Sequence, residues 1–454
     1  MPLPENLKTL AAACPFPLYV VGGYVRDFLA HFSCKTHDID ICAPASYEKF
    51  LEAAEVCGAH VTAIYKNTGT VKVKFGEEEY EFASFRSDEY VRGEHTPVKT
   101  FFTEDITLDA RRRDFKCNAV YYDIKEEKFT DPLGGITDIE NKVLSTVDRA
   151  DKVFGEDGLR LMRLARQAAQ TGFEPTKECL DGATKNSALI ADVAAERVWT
   201  ELDLLLHADE KYGKEGAQYR GLKLLEKTGV LAVILPELAL GKGMAQPEKF
   251  HSHDVLEHSL RTVLYADKSI RLAALLHDIG KPYCMRASGN YHLHEIEGAR
   301  IAEEVCARLK VPKKQREEAA KLTELHMYDM RLDARESKVR RFIVRNFVLF
   351  EKVLLIKQAD FSACRDETRE APCVTKWKEI YARMQNEGVP FTLKQLAVRG
   401  DELIATGVPP QDTGKALSEL LEACAALGLK NEKQNLLSYA AKSYIKRSGN
   451  LPPD

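Results

Sequence analysis

The pattern of apolar residues changes once along the chain, near residue 150, and this change constrains the fold more than any other feature. Before it, runs rich in β-branched and aromatic residues predict short strands at 18–23, 38–42, 60–66, 70–75, 80–84 and 117–123. One helix is expected among them, around 25–32. After it, the apolar residues recur with helical periodicity. We therefore expect an α+β fold in which a mixed head precedes an all-helical remainder.

Length and composition favour a multidomain protein outside the membrane. The 454 residues are too many for one ordinary core and suggest about three domains. No stretch approaches the roughly 20 uninterrupted apolar residues that a membrane span needs. The first residues lack the basic region of a signal peptide, and the 11 cysteines form no CxxC pair, so we expect a cytoplasmic protein with reduced thiols. The net charge of −4 leaves nucleic-acid binding to a local basic surface.

A glycine pair and an Asp-x-Asp pair lie close together in the head. Gly22 and Gly23 stand between a predicted strand and a predicted helix, where backbone N–H groups and Arg26 can approach a triphosphate. Asp38 and Asp40 alternate along a strand and project to one face, which suits one or two Mg²⁺ ions. Such an arrangement serves phosphoryl or nucleotidyl transfer. A surface turn with two solvated aspartates is the alternative.

This order of strand, glycine pair, helix and Asp-x-Asp resembles the class II tRNA nucleotidyltransferase and bacterial poly(A) polymerase family, whose polymerase-beta-like head carries GGxVRD and DxD motifs. Residues 109–119, DARRRDFKCNA, resemble the RRDFTINA motif of that family, and DPLGG at 131–135 resembles its DPxGG turn. The resemblance implies recognition of ribose and phosphates by Arg112, Arg113, Asp114 and Asn118. If the resemblance is set aside, residues 109–119 are explained as a solvent-exposed basic turn.

Two further features of the head are a loop that the family shares and a candidate third carboxylate. Residues 85–103 resemble the mobile loop that coordinates nucleotide choice in CCA-adding members. Glu81, on the preceding strand, is a candidate for a third metal-binding and catalytic carboxylate beside Asp38 and Asp40, with a plain exposed strand residue as the alternative.

The start of the first long helix carries a candidate pair for recognising the nucleotide base. Asp157 and Arg160 are three residues apart and share one helix face. A carboxylate acceptor beside a guanidinium donor matches the Watson–Crick edges of cytosine and adenine and mismatches uracil and guanine. The family's EDxxR motif has this role, and Arg163 and Arg166 extend the basic stripe toward the phosphates. A local ion pair at a helix start is the alternative.

Six histidines and aspartates, residue types that bind metals, follow in helical surroundings, in the order His258, His277, Asp278, His294, His326 and Asp360. Imidazole and carboxylate bind divalent ions, and pairs of such ions activate water for phosphoester hydrolysis. LLHDIGKP at 275–282 and its flanks resemble the HD-type phosphohydrolase domain, which implies a divalent metal of unknown identity. His251 and His253 are left without a role.

We expect four parts: a nucleotidyltransferase head (1–145), a helical neck (146–240), an HD domain (245–370) and a tRNA-binding tail (380–454). The resemblance implies addition of CMP and AMP to the 3′ end of tRNA from CTP and ATP, with Mg²⁺ at the head. A poly(A) polymerase or a CC- or A-adding specialist is the close alternative. An HD phosphohydrolase with a non-catalytic RNA-binding head, or a non-catalytic RNA-binding protein, would be of another class.

Overall fold

The computed structural model describes residues 1–33, 39–91, 97–249 and 251–448. The prediction for Asp38 therefore falls outside the described residues, as does part of the 85–103 loop. The chain divides into two compact units, residues 1–240 with 305–312 and residues 241–304 with 313–454. We call them the first and the second unit. Among the described residues, every helix is too short or too polar to span a bilayer.

The first unit begins with the mixed head. Its strands are β1 (Tyr19–Val21), β2 (Ile39–Ala43), β3 (His60–Tyr65), β4 (Thr70–Phe75), β5 (Glu78–Ser84), β6 (Arg86–Glu89), β7 (Lys99–Phe102), β8 (Tyr121–Asp123), β9 (Lys128–Thr130), β10 (Val143–Leu144) and β11 (Glu174–Pro175). Its first helices are α1 (Glu5–Ala13), α2 (Gly23–Leu29), α3 (Tyr47–Val56), α4 (Ile106–Arg111) and α5 (Gly135–Asn141).

Helices dominate the rest of the chain. The first unit continues with α6 (Ala150–Glu156), α7 (Leu159–Thr171), α8 (Lys177–Asn186), α9 (Ala195–Leu206), α10 (Ala208–Tyr212), α11 (Ala217–Lys227), α12 (Val230–Ile234) and α13 (Pro236–Ala239). Then follow α14 (Val255–Tyr265), α15 (Arg271–Leu276), α16 (Lys281–Ser288), α17 (His294–Arg308), α18 (Lys313–Leu325), α19 (Glu336–Arg345), α20 (Phe350–Arg365), α21 (Pro372–Asn386), α22 (Gly400–Ala405), α23 (Thr413–Leu427) and α24 (Lys433–Ser448). The predicted α+β head followed by an all-helical remainder is confirmed.

A seven-stranded sheet in the order β3-β4-β5-β2-β1-β8-β9 organises the head. Strand β2 runs parallel to β5 and antiparallel to β1, so that Asp40 is in register with Glu81 on one side and with Val21 on the other. Phe50 of α3 stacks on Phe82 of β5 at a centroid distance of 3.9 Å, and both rings are fully buried. This packing fixes the middle of the sheet, where the chain leaves β1 for α2 at Gly22.

The strand predicted at 117–123 is shorter in the structure. Only Tyr121–Asp123 pairs as a strand, and Lys116–Asn118 forms a 3₁₀ turn. The turn places the Asn118 amide 3.0 Å from the Asp114 carboxylate, a buried contact that an extended chain would not make. Hydrogen bonding of a polar side chain therefore overrides the local strand preference at this point.

In the second unit, α14 and α20 pack together, and α18 packs against α15 and α20. An aromatic cluster supports this arrangement: Phe342 of α19 lies 4.5 Å from Tyr328 and 4.9 Å from Trp377 of α21, measured between ring centroids. Helix α23 packs on α19, and Arg345 pairs with Glu422 across them at 2.6 Å. Helix α20, which carries Asp360, contacts this aromatic cluster through Phe350, whose ring lies 6.3 Å from that of Trp377.

Candidate functional site

A cavity of about 410 Å³ in the first unit gathers the head residues that the sequence singles out. All eleven predicted nucleotide-binding residues line it: Gly22, Gly23, Arg26, Arg112, Arg113, Asp114, Asn118, Asp157, Arg160, Arg163 and Arg166. Asp40 lines the same cavity. The lining contains eight arginines and one lysine against four aspartates, so the cavity is suited to a polyanion.

Each of these arginines has a carboxylate partner. The pairs are Arg26–Asp27, Arg86–Asp88, Arg112–Asp109, Arg113–Asp109, Arg160–Glu156, Arg163–Asp114, Arg166–Glu201 and Arg197–Asp157. The pairing distances run from 2.6 Å for Arg26 and Arg166 to 3.6 Å for Arg197. Because the guanidinium groups are fixed before a ligand arrives, little reorganisation is required to bind phosphates.

Arg26 of α2 is held by a buried network. Its guanidinium donates to Asp27 at 2.6 Å, to Asn118 Oδ1 at 2.9 Å and to the Tyr212 hydroxyl at 2.9 Å. Burial alone would lower the pKa of Arg26, but Asp27 beside it raises the pKa above its ordinary value. The arginine therefore stays charged and links the glycine turn to the 109–119 motif.

Asp114 is the centre of a second network. Its carboxylate accepts hydrogen bonds from Asn118 at 3.0 Å, from Arg163 Nε at 2.8 Å and from Gln167 at 3.3 Å. Burial would raise the pKa of Asp114, but Arg163 and the Asn118 amide outweigh it and hold the pKa below its ordinary range. The ionised carboxylate thus fixes Arg163 at the cavity wall.

Arg112 and Arg113 share one buried anchor. Asp109 is fully buried and accepts from Arg112 at 2.7 Å, from Arg113 at 3.1 Å and from the Tyr121 hydroxyl at 2.7 Å. Burial would raise its pKa, and the two guanidinium groups bring the pKa below the ordinary range instead. Arg112 and Arg113 are therefore partly buried and anchored to a buried carboxylate, unlike the solvent-exposed basic turn that was the alternative explanation.

Asp157 and Arg160 both line the cavity, and the Arg160 amide donates to the Asp157 carbonyl oxygen at 3.0 Å. Asp157 Oδ1 accepts from the Leu159 amide at 2.9 Å, and its Oδ2 lies 3.6 Å from Arg197. Arg160 donates to Glu156 at 2.9 Å and to the carbonyl oxygens of Val153 and Arg112 at 3.0 and 2.6 Å. Both side chains are oriented by the protein, with an acceptor and a donor facing the same space.

The carboxylate of Asp40 lies at the turn between β1 and α2. Gly22 has a φ of 81°, and a Cβ added to it would come within 3.0 Å of Asp40 Oδ2. Glu81 is in register with Asp40 on the neighbouring strand and pairs with Lys72 at 3.1 Å. Strand register therefore places a second carboxylate beside Asp40, which fits a divalent ion by donor chemistry.

In the second unit, the six predicted ligands form one buried cluster, the histidine–aspartate centre. Asp278 contributes both carboxylate oxygens: Oδ2 lies 3.2 Å from His277 Nε2 and 3.5 Å from His258 Nε2. Its Oδ1 lies 3.2 Å from His294 Nε2 and 3.7 Å from His326 Nε2. Asp278 thus has two sides, the His258 side and the His294 side.

Asp360 completes the His258 side, since its Oδ1 lies 3.0 Å from His258 Nε2 and 3.9 Å from His277 Nε2. Burial would raise the pKa of Asp278, but His277 and Lys281 lower it well below its ordinary value. Burial would likewise raise the pKa of Asp360, but the hydrogen bond with His258 lowers it, so both carboxylates are ionised and available as ligands.

Three of the histidines are oriented in one way. Nδ1 of His277, His294 and His326 lies 2.8, 2.7 and 2.6 Å from a backbone carbonyl oxygen three residues earlier. A donating Nδ1–H leaves the lone pair on Nε2, the tautomer that binds metals. In this tautomer the buried Nε2 atoms of His294 and His326 face Asp278 Oδ1, which is itself an acceptor, and neither has a hydrogen-bond donor among the described residues. These orphaned acceptors fit a divalent ion.

Three stretches of the chain match known protein families. Residues 18–145 match the poly A polymerase head domain, residues 172–240 the probable RNA and SrmB-binding site of polymerase A, and residues 255–352 the HD domain. The A-adding tRNA nucleotidyltransferase of Deinococcus radiodurans is 31% identical over 371 residues, which cover 77% of this chain and 78% of that protein. The chain belongs to the tRNA nucleotidyltransferase and poly(A) polymerase family.

Solved structures share the fold of this family member. The CCA-adding enzyme of Bacillus stearothermophilus, solved with CTP, is 23% identical, with a TM-score of 0.69 over 98% of this chain and 99% of that one. The Thermotoga maritima CCA-adding enzyme, solved with tRNA, is 17% identical, with a TM-score of 0.59 over 97% and 94%. The family membership makes the chain a nucleotidyltransferase with an appended HD domain.

Several residues of the nucleotidyltransferase cavity were not singled out by the sequence: Arg86, Asp88, Tyr90, Leu159, Gln167, Gln170, Arg197 and Lys211. Two of them had a signal. Gln167 and Gln170 continue the helical spacing that begins at Arg160 and Arg163. Arg86, Asp88 and Tyr90 belong to the 85–103 stretch, where only a loop was expected. Arg197 and Lys211 come from other helices, and only the fold places them here.

Proposed function

We propose that this nucleotidyltransferase adds CMP and AMP, without a template, to the 3′ end of tRNA, using CTP and ATP. One observation carries the proposal: Asp40 and all eleven predicted nucleotide-binding residues line a single arginine-rich cavity. It is supported by the A-adding activity named for the Deinococcus radiodurans relative and by the CTP and tRNA complexes of the structural neighbours.

In this proposal separate groups of residues bind the metal ion, the phosphates and ribose, and the base. Asp40, with Asp38 and with Glu81 in register beside it, would hold Mg²⁺. The ion, when bound, supplies charge neutralisation for the triphosphate and activation of the attacking hydroxyl. Phosphates and ribose are bound by guanidinium groups that their carboxylate partners have already oriented, those of Arg112, Arg113, Arg163 and Arg166.

The base is read by Asp157 and Arg160. Asp157 offers a carboxylate acceptor to an exocyclic amine. Arg160 makes three hydrogen bonds to the protein, and since a guanidinium carries five N–H donors, this anchoring leaves donor capacity for a ring nitrogen. An acceptor beside a donor matches cytosine and adenine, so one rigid pair serves both nucleotides of the CCA end.

The limit of addition is tested with three tRNA primers that end at the discriminator base, at the first C and at the second C. Each is incubated with CTP, with ATP and with both, and products are sized on a gel. A CCA-adding enzyme extends the first primer by three nucleotides. A protein that extends only the third primer, by one AMP, is an A-adding specialist, which the Deinococcus radiodurans relative favours. Unlimited AMP addition identifies a poly(A) polymerase, and no extension of any primer overturns the proposal.

A second activity, metal-dependent phosphoester hydrolysis at the HD domain, is favoured by the two-sided arrangement around Asp278. Wild-type protein is assayed with phosphomonoester and 2′,3′-cyclic phosphate substrates in Ni²⁺, Co²⁺, Mn²⁺ and Mg²⁺. Asp278→Asn is expected to lose hydrolysis and keep nucleotide addition, and Asp40→Asn to show the reverse. Absence of hydrolysis with every metal assigns the HD domain a structural or RNA-contacting role.

We further propose that the helical tail contacts the body of the tRNA and that the protein acts in the cytoplasm. The first is supported by the resemblance of residues 396–437 to the tail of the family, and the second by 11 cysteines without a CxxC pair.

A further inference from the structure

His251 and Cys364 stand beside the histidine–aspartate centre without a role in it. Cys364 is one helical turn beyond Asp360 on α20, and its Sγ lies 4.0 Å from Asp360 Oδ1. His251 Nδ1 lies 3.6 Å from the same sulfur. The His251 ring makes an edge contact with the ring of His258, with centroids 4.9 Å apart. Potential ligand atoms of His251, His258 and Cys364 all lie within 4.8 Å of one another.

These separations have the size that a metal ion imposes. An ion bound tetrahedrally at about 2.3 Å from sulfur and about 2.0 Å from nitrogen holds the two ligand atoms roughly 3.5 Å apart. The observed Nδ1 to Sγ distance of 3.6 Å is of that size, and the Asp360 oxygen and His258 nitrogen on the same side are 3.0 Å apart. The Nδ1 to Sγ separation therefore matches that of two ligands of one ion, and His258 supplies a third ligand atom within 4.8 Å of both.

The local backbone holds this arrangement in place. The Ser252 amide donates to the carbonyl oxygen of Cys364 at 3.0 Å, which ties the segment carrying His251 to the end of α20. A second observation concerns His258, which is fully buried: its Nε2 lies 3.0 Å from Asp360 Oδ1 and 3.2 Å from His277 Nε2, so it faces the same group of potential ligand atoms.

We propose that His251 and Cys364 join His258 and Asp360 as ligands and give the His258 side of the HD centre a thiolate, so that this side selects a thiophilic divalent ion over Mg²⁺. Thiolate and imidazole favour Zn²⁺, Co²⁺ and Ni²⁺, whereas Mg²⁺ prefers oxygen ligands. Binding releases the thiol proton to solvent. The His294 side, with Asp278, His294 and His326, has no sulfur among its described ligands, so the two sides of the centre differ in metal preference.

The test uses full-length protein freed of metal with a chelator and titrated with Co²⁺ alone. Wild type is expected to develop a near-ultraviolet thiolate-to-cobalt charge-transfer band. Cys364→Ser is expected to lose that band, and His251→Gln to weaken and shift it. Cys284→Ser, which removes a half-buried cysteine of the same unit outside the predicted ligand groups, is expected to keep it. Unchanged addition of nucleotides to tRNA and an unchanged melting temperature of the metal-free variants show that they are folded.

Affinity provides a second readout. Equilibrium dialysis is expected to show Zn²⁺ binding about tenfold or more weaker in Cys364→Ser, on the scale of changes in metal surroundings, with Mg²⁺ binding unaffected. Bound Zn²⁺ is also expected to protect Cys364 from alkylation by iodoacetamide, as read by mass spectrometry. If Co²⁺-loaded wild type shows no thiolate band, or if Cys364→Ser matches wild type in both band and Zn²⁺ affinity, the proposal is overturned. Should Cys364→Ser not fold, His251→Gln and the alkylation experiment decide it.

Discussion

Gly22 and Asp40 are in near contact across the turn that joins the first strand to the first helix of the cavity. A Cβ on Gly22 would lie 3.0 Å from Asp40 Oδ2, and the backbone there has a φ of 81°. The glycine is therefore required twice, for its left-handed conformation and for the space that it leaves beside a predicted metal ligand.

Gly22→Ala is expected to lower nucleotide addition by up to about 100-fold, because a small misplacement of a reacting group has an effect of that order. Gly172→Ala is the matched control. Its φ is 73°, so the backbone strain is similar, but among the described residues nothing lies within 4 Å of the added Cβ. Rates of CMP incorporation and melting temperatures of both variants are compared. Equal activity losses would show that backbone strain alone, and not displacement of Asp40, matters.

Asp40→Asn is expected to abolish nucleotide addition, by more than about 100-fold, while tRNA affinity stays near that of wild type. The reason is that Asp40 is predicted to hold the metal rather than the RNA. Single-turnover incorporation and a tRNA gel-shift assay separate the two effects. Glu81→Gln decides the role of the carboxylate in register with Asp40: normal incorporation would leave Glu81 as an exposed strand residue paired with Lys72.

Asp157→Asn is expected to weaken the preference for CTP and ATP over UTP and GTP by about 5- to 150-fold, which corresponds to about 1–3 kcal/mol per mismatched base edge. The amide presents a donor where the carboxylate presents two acceptors. Relative kcat/KM values for the four nucleotides on one tRNA primer measure the change. Lys185→Gln on α8, whose exposed side chain pairs with Asp151 at 2.8 Å, serves as control. An unaltered preference order would make Asp157 a helix-start residue only.

The pKa of Asp114 is held low in the folded protein, and this predicts a pH dependence of stability. A carboxylate with a depressed folded pKa binds fewer protons folded than unfolded, so its contribution is complete above its unfolded pKa of about 4 and is lost as the pH falls further. Asp114→Asn is therefore expected to be less stable than wild type near neutral pH, with a difference that shrinks below about pH 4. Urea unfolding at several pH values measures both, and Asp203→Asn, on an exposed carboxylate, is the control. A pH-independent difference would mean that Asp114 contributes through shape and not charge.

Metal stoichiometry distinguishes the two sides of the HD centre. Asp278→Asn is expected to weaken binding at both sides, because each oxygen of Asp278 faces a different pair of histidines. His326→Asn is expected to reduce binding mainly on the His294 side, lowering the Co²⁺ bound at the HD centre from two ions to one; all proteins compared carry Asp40→Asn, so that the predicted ion of the head is not counted. Equilibrium dialysis with metal analysis counts the ions. An Asp40→Asn protein with an unaltered HD centre that binds a single ion would contradict the two-sided assignment.

Sequence reasoning located the cavity well because its key residues cluster in short motifs. Gly22, Asp114 and Arg160 come from three separate segments, yet each segment carries its own spacing signal, and the structure brings them to one cavity. Their chemical roles stay predictions. The carboxylate partners of the arginines could not be predicted in this way. Glu201, for example, lies on another helix 35 residues from Arg166, and no local sequence pattern predicts that pair.

The same limit applies in the second unit. His277 and Asp278 are adjacent in the chain and were readily identified, whereas His251 and Cys364 are 113 residues apart and meet only because the end of α20 is bound to the segment after His251. At 117–123 a local pattern misled the prediction. Its apolar and aromatic residues indicated a strand, but residues 116–118 form a 3₁₀ turn in which Asn118 bonds to Asp114. Local patterns predict elements, and long-range polar contacts decide where they end.

The arginine–carboxylate pairs around the cavity change which substitutions should matter in this protein. Eight guanidinium groups in one wall would repel one another if their charges were uncompensated, and buried acids such as Asp109 and Glu201 prevent this before any ligand is present. Neither acid lines the cavity. Substitutions that abolish function should therefore also occur behind the cavity wall, at buried residues that contact no ligand and would otherwise be taken for ordinary core residues.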